Sequence, residues 1–125
     1  MIKLIEKYFD RLFPLNRSLT GKDYQKSLNI INEIIPLKKI NFKSGQRVFD
    51  WKIPLEWNVR KAYIKNQKGE KIIDFNQNNL HLLGYSQKLK KRISFNQLKK
   101  NLYFIKKLPN AIPYVTSYYK KRWGF

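Results

Sequence analysis

The sequence contains no cysteine, a single histidine, His81, and eight acidic residues against 27 lysines and arginines. Without cysteine there is no disulfide and no thiolate metal site. The acids are Glu6, Asp10, Asp23, Glu33, Asp50, Glu56, Glu70 and Asp74, none at a recognisable ligand spacing from His81. A hydrolytic zinc centre needs three or more ligands and a carboxylate that takes the proton from metal-bound water. One histidine completes no such centre by itself, so a structural place for His81 in the run Leu80-His81-Leu82-Leu83 is the preferred reading. A Gly-rich phosphate loop is also missing, since Gly21, Gly45, Gly69, Gly84 and Gly124 lie far apart and each suits a turn. No Gly-x-Ser-x-Gly nucleophile motif occurs, and Ser18, Thr20 and Ser94 precede helical patterns where their hydroxyls serve as caps. Long apolar runs are absent. Lys3, Glu6, Lys7, Asp10 and Arg11 interrupt the amino-terminal stretch, so no signal peptide is expected, and nothing approaches the roughly 20 apolar residues of a membrane-spanning helix. The expectation is a soluble, cytoplasmic protein with no membrane partner.

What the chain has in quantity is positive charge, +19 formally over 125 residues. Dense positive charge binds polyphosphate through counterion release. Arginine, the better fork for phosphate, appears only at 11, 17, 47, 60, 92 and 122, and the remaining bases are lysines spread from Lys3 to Lys121. Asn and Ile are abundant beside them, the pattern of an AT-rich gene. Solvated surface lysines are therefore the preferred reading, and any nucleic-acid affinity is expected to be weak and independent of sequence. At 42% hydrophobic the chain can bury one ordinary core, arranged as one or two small units.

Ile2, Ile5, Phe9 and Leu12 recur at helical spacing, with Pro14 ending the helix. Thr20 is expected to cap a second helix, with Asp23 in its first turn and Tyr24, Leu28, Ile31 and Ile35 on one face, closed by Pro36. From Leu37 the period changes. Ile40 and Phe42 alternate with polar residues, as do Phe49, Trp51 and Ile53 after the Ser44-Gly45 turn. Val59 to Lys65 and Lys71 to Phe75 read as a hairpin turned by Asn66 to Glu70, and Leu80 to Tyr85 as a further strand in which Gly84 marks a bulge or a close backbone approach. Ser94 caps a short helix carrying Phe95, Leu98 and Leu102, and Pro109 and Pro113 enforce an extended path beyond it. The fold class expected is α+β: two amino-terminal helices, a small antiparallel β domain and a short helix. Trp51 and Trp57 are read as core filling in preference to a platform for sugar or peptide.

Two blocks, Leu12 to Gly21 and Ile112 to Phe125, carry a family likeness. It continues through Val48-Phe49-Asp50-Trp51, Pro54-Leu55-Glu56-Trp57-Asn58, Ala62-Tyr63-Ile64, Ile73-Asp74-Phe75 and Asn79-Leu80-His81. The chain resembles the amino-terminal part of the bacterial aminopeptidase-like family, zinc exopeptidase relatives whose α/β catalytic domain is interrupted by a small domain of unknown function. The resemblance implies residues 1–37 as helices of the aminopeptidase-like domain, 38–108 as the inserted domain and 109–125 as the return towards a catalytic segment. It implies zinc for the full-length protein. It places no catalytic, cofactor-binding or metal residue in this chain, because the family's ligand-bearing segments come after the stretch matching Trp123-Gly124-Phe125. The implied partner is that downstream segment, in the same or a separate chain, with Tyr118, Tyr119 and Trp123 framing the site or forming the interface. Some relatives are associated with surface-polysaccharide biosynthesis. The competing expectation is a small basic binding module for nucleic acid, carbohydrate or protein, marked by clustering of Arg60, Lys61, Lys65, Lys88, Lys90, Lys91 and Arg92 on one β face. Oligomeric state stays open.

Overall fold

The computed structural model describes residues 2–18, 20–117 and 120–125. The chain forms two compact units, Met1–Asn58 and Val59–Phe125.

In the first unit, helix α1 (Ile2–Leu12) and helix α2 (Lys22–Asn32) form as their apolar spacing predicts. The Phe13 amide bonds the Phe9 carbonyl at 2.8 Å before Pro14 ends the helical path. Arg11 joins the two helices through a fork to Glu33, with both nitrogen–oxygen distances 2.6 Å. That fork also holds the Glu33 carboxyl below its ordinary range, chiefly through the hydrogen bonds from Arg11. The amino-terminal cap of α2 is Gly21, with φ 116°, in place of the expected Thr20. The reason is spatial: a Cβ at Gly21 would lie 2.7 Å from the Trp57 carbonyl oxygen, and Asn58 Oδ1 accepts the Lys22 amide at 2.8 Å. A side chain from a distant block therefore does the capping that a local hydroxyl was expected to do.

Strands β1 (Arg47–Val48) and β2 (Trp51–Lys52) pair antiparallel, Val48 opposite Trp51, around a two-residue turn at Phe49-Asp50. Ile40 and Phe42 lie outside any strand, 68% and 61% exposed, because no neighbouring backbone pairs with them. Trp57 is half-buried and Trp51 is 46% exposed, so the core-filling role expected of both is met only in part.

In the second unit, β3 (Tyr63–Lys65) and β4 (Lys71–Asp74) form the expected hairpin, with an irregularity in register between Ile64 and Lys65. Its turn closes through the Gly69 amide on the Asn66 carbonyl, with Gly69 at φ 87°. The expected strand from Leu80 is not formed. Asn79–His81 is a 3₁₀ turn, started by the Asn78 side chain accepting the Leu80 amide at 3.0 Å, a local bond that competes with a strand ladder. Helix α3 (Phe95–Lys99) begins at Ser94, the cap read from the sequence, and the structure adds the reciprocal bond from Gln97 that completes a capping box. Leu83 is the one large hydrophobic residue that is buried among those described, at 3% exposure. The architecture is α+β, with one small antiparallel hairpin in each unit.

Candidate interface at the carboxy-terminal junction

Gly84 is where distant segments converge. Its amide bonds the Val115 carbonyl at 3.0 Å, its carbonyl accepts the Ser117 amide at 2.7 Å, and the two segments bridge in parallel at Gly84 and Thr116. The close approach expected at Gly84 is real, since a Cβ there would meet Thr116 Oγ1 at 3.2 Å. Ser117 is 2% exposed, and its hydroxyl lies 3.0 Å from the Gly84 carbonyl oxygen and 2.9 Å from that of Tyr85. A hydroxyl donating to main-chain carbonyls is a staple and is not poised as a nucleophile.

The last residues are laced into the same place. Leu83 donates to the Gly124 carbonyl at 3.0 Å, Gln87 to that of Arg122 at 3.0 Å, and Tyr103 to that of Phe125 at 2.8 Å, while Phe125 donates to Asn101 at 2.9 Å. Gly124 is required by this packing, because a Cβ there would stand 2.5 Å from Tyr103 Cε2 and 2.8 Å from the Asn101 carbonyl oxygen. Arg122 turns inward: its Nη2 donates to the Thr116 carbonyl at 2.6 Å and its guanidinium lies 5.9 Å from the centre of the Tyr103 ring. Trp123 sits half-buried in this junction. Tyr118 and Tyr119, expected beside it at a site or interface, lie outside the described residues. The sequence assigns Gly124 only to a turn and gives Ser117 no particular place. Their roles depend on neighbours 21 and 33 positions away, Tyr103 and Gly84, so no local pattern marks them.

Among the described residues the acids and His81 do not assemble into a metal-binding group. Asp74, 7% exposed, is held by Lys71 Nζ at 2.5 Å and by the Asn76 amide at 3.1 Å, and these bonds, Lys71 first, keep its carboxyl below its ordinary range. Lys71 also lies 5.2 Å from the centre of the Tyr63 ring, with Lys65 at 5.5 Å from the same ring. His81 Nδ1 is buried, with no hydrogen-bond partner among the described residues. Among the described residues no group of three or more His, Asp or Glu comes together that could hold a metal ion. The donor set does not fit a zinc site, and no step of a metal-assisted reaction can be assigned to these side chains. No described helix is long and apolar enough to cross a membrane.

Residues 56–125 match a family described as a domain of unknown function (DUF2172). The chain belongs to this family. DUF2172 here spans the second hairpin, α3 and the junction, and beyond it the likeness extends through α1 and α2 as well. A "putative polysaccharide biosynthesis protein with aminopeptidase-like domain" from Clostridium acetobutylicum is 47% identical over 121 residues, 97% of this chain and 28% of that protein. A crystal structure of a "putative peptidase" from the same organism superposes with a TM-score of 0.93 at 46% identity, over 98% of this chain and 29% of the other. The chain thus spans less than a third of the length of either relative. The family resemblance read from the sequence holds: the DUF2172 chain matches one part of larger aminopeptidase-like proteins.

Proposed function

We propose that this chain supplies the amino-terminal helices and the accessory domain of a zinc-dependent aminopeptidase-like hydrolase of the cytoplasm, contributing framing surface and no catalytic group. Residues 1–37 would belong to the hydrolase domain, 38–108 to the inserted domain and 109–125 to the return. The observation that carries this reading is exposed apolar surface. The chain presents 11079 Å² of accessible surface, whereas two separate compact globules of half its mass would together present about 8,600 Å². Large apolar side chains contribute to it: Ile2, Ile5, Phe9 and Phe13 of the first helical segment are 59–72% exposed. Such a face marks an interface. A protein more than three times as long, like either relative, has the mass to cover it. The likeness to the polysaccharide biosynthesis protein with an aminopeptidase-like domain supports placing the parent protein in that process, with an amide near a free amino terminus as the bond cleaved.

The test is co-expression with the remaining segment of the Clostridium relative. A one-to-one complex that binds zinc and releases an amino acid from an aminoacyl anilide is expected, while the 125-residue chain alone shows neither property. Stoichiometric zinc on the chain alone, lost in His81→Ala, would overturn the reading.

A further inference from the structure

The net charge is not spread evenly, because the acids are not. Residues 1–58 carry 11 bases and six acids, whereas residues 59–125 carry 16 bases and two acids, Glu70 and Asp74, so that none follows residue 74. AT-rich coding cannot produce this contrast, because the same bias acts on both parts of one gene and leaves acids in the first. The described ion pairs, Arg11 with Glu33, Lys26 with Asp23 and Lys71 with Asp74, all lie before residue 75.

The fold brings segments that carry these bases to one junction. The Gln87–Arg122 backbone bond joins the segment of Lys88 to that of Lys121, and the bonds of Phe125 with Asn101 and Tyr103 bring in the residues that follow α3. Lys88, Lys91, Arg92, Lys99, Lys120 and Lys121 all sit within a few residues of those bonds, and all are exposed. The set whose clustering on one β face would mark a binding module, Arg60, Lys61, Lys65, Lys88, Lys90, Lys91 and Arg92, does not share such a face, since only Lys65 of them lies in a strand. Like charges on converging segments repel one another, the more strongly as they come within a Debye length, about 8 Å, unless a counter-charge arrives. Segments carrying them also present exposed aromatic rings: Phe95, Phe104 and Tyr114 are 68%, 61% and 72% exposed.

We propose that this face of the second unit binds an anionic polysaccharide, a chain whose sugars bear carboxylate or phosphate groups. The inference rests on the polysaccharide-biosynthesis reading above and names the polymer that the accessory domain would hold. Ammonium point charges pair with anions spaced along a glycan, and the rings offer flat apolar surface to the sugars. Nucleic acid is less well served. Of the 16 bases in the second unit only three are arginine, and Arg122 is committed to Thr116 and Tyr103.

The experiment measures binding of the 125-residue chain to polygalacturonate, to neutral dextran and to an oligothymidylate at about 0.15 M salt. Two variants lose the same four charges: Lys88, Lys91, Lys99 and Lys121→Gln on the proposed face, and Lys3, Lys38, Lys43 and Lys52→Gln in the first unit. Polygalacturonate affinity should fall about tenfold in the first variant and less than about threefold in the second, because only local cations release counterions at the bound chain. Lys→Arg at the four face positions should bind within about threefold of the parent, keeping the charge and guarding against a folding artefact. Equal losses in the two Gln variants would reduce the effect to net charge and overturn the proposal, as would tighter binding to oligothymidylate or equal binding to dextran. The readout is affinity and not hydrolysis, so its failure is distinct from failure of the hydrolase reading.

Discussion

Phe49 holds a left-handed backbone, φ 53°, at the tip of the first hairpin while its side chain is 94% exposed. A two-residue hairpin loop favours Gly or Asn where φ is positive, and a bulky residue there is strained. With no packing to lose, Phe49→Asn should stabilise the isolated chain by about 1 kcal/mol, the lower end of the cost of such a conformation. Urea titration measures it, and a destabilised variant would mean that the ring is packed in solution. Acid sensitivity is also set residue by residue. The Glu33 carboxyl is lowered from its ordinary 4.5 by Arg11, and that of Asp74 from 3.8 by Lys71 and the Asn76 amide. A lowered folded value means that each contribution is fully present above the ordinary value and is lost as pH falls through the depressed one. Glu33→Gln should therefore be less stable than the parent at neutral pH, and the difference should vanish in acid below the depressed value. Melting curves across pH decide this, and a gap that persists in acid would exclude the ion pair as its source.

Among the elements, α3 depends most on its start. Five residues make little more than one turn, too short to be stable by propensity alone. The capping box supplies two bonds, from the Gln97 amide to Ser94 Oγ and from the Ser94 amide to Gln97 Oε1. Ser94→Ala should cost about 1 kcal/mol and speed hydrogen exchange at the Gln97 amide, leaving the β3–β4 hairpin unchanged. Exchange rates unaltered at Gln97 would show that tertiary contacts, and not the cap, hold α3. Helix α1 presents the opposite balance. Its apolar positions recur at helical spacing, yet none of its described residues is buried, so its amphipathic face has little within its own unit to pack against.

For the molecule as a whole, that uncovered face governs behaviour in solution. Ile5 is 62% and Phe9 59% exposed, and the rings of Phe9 and Phe13 stack at 5.3 Å, which makes a continuous apolar surface. The isolated chain should self-associate at micromolar concentration despite its net charge of +19, more so as salt screens the repulsion. Ile5→Glu with Phe9→Glu should shift it towards monomer in sedimentation velocity experiments. A parent chain that is monomeric at high salt would contradict the proposed interface.

Local chemistry alone determined a good part of this protein. The spacing of Ile2, Ile5 and Phe9, the stops at Pro14 and Pro36, the Asn66–Glu70 turn and the Ser94 cap all depend on residues within a few positions of one another, and all were legible. So was the scarcity of metal ligands, which is a matter of composition. Tertiary structure decided the rest, wherever a residue's role is set by a partner far along the chain. Thr20 carries the hydroxyl of a good cap, but Asn58 arrives across 36 positions to bond Lys22. Leu80 and His81 share a strand-like apolar run, but Asn78 captures the Leu80 amide in a turn. The lysine-bearing segments around 88, 99 and 121, far apart in sequence, reach one junction only because Gln87 meets Arg122 and Phe125 meets Asn101 and Tyr103. Hydrophobic pattern specifies which side of an element seeks burial, whereas convergence of main-chain donors and acceptors across long separations specifies which charges become neighbours.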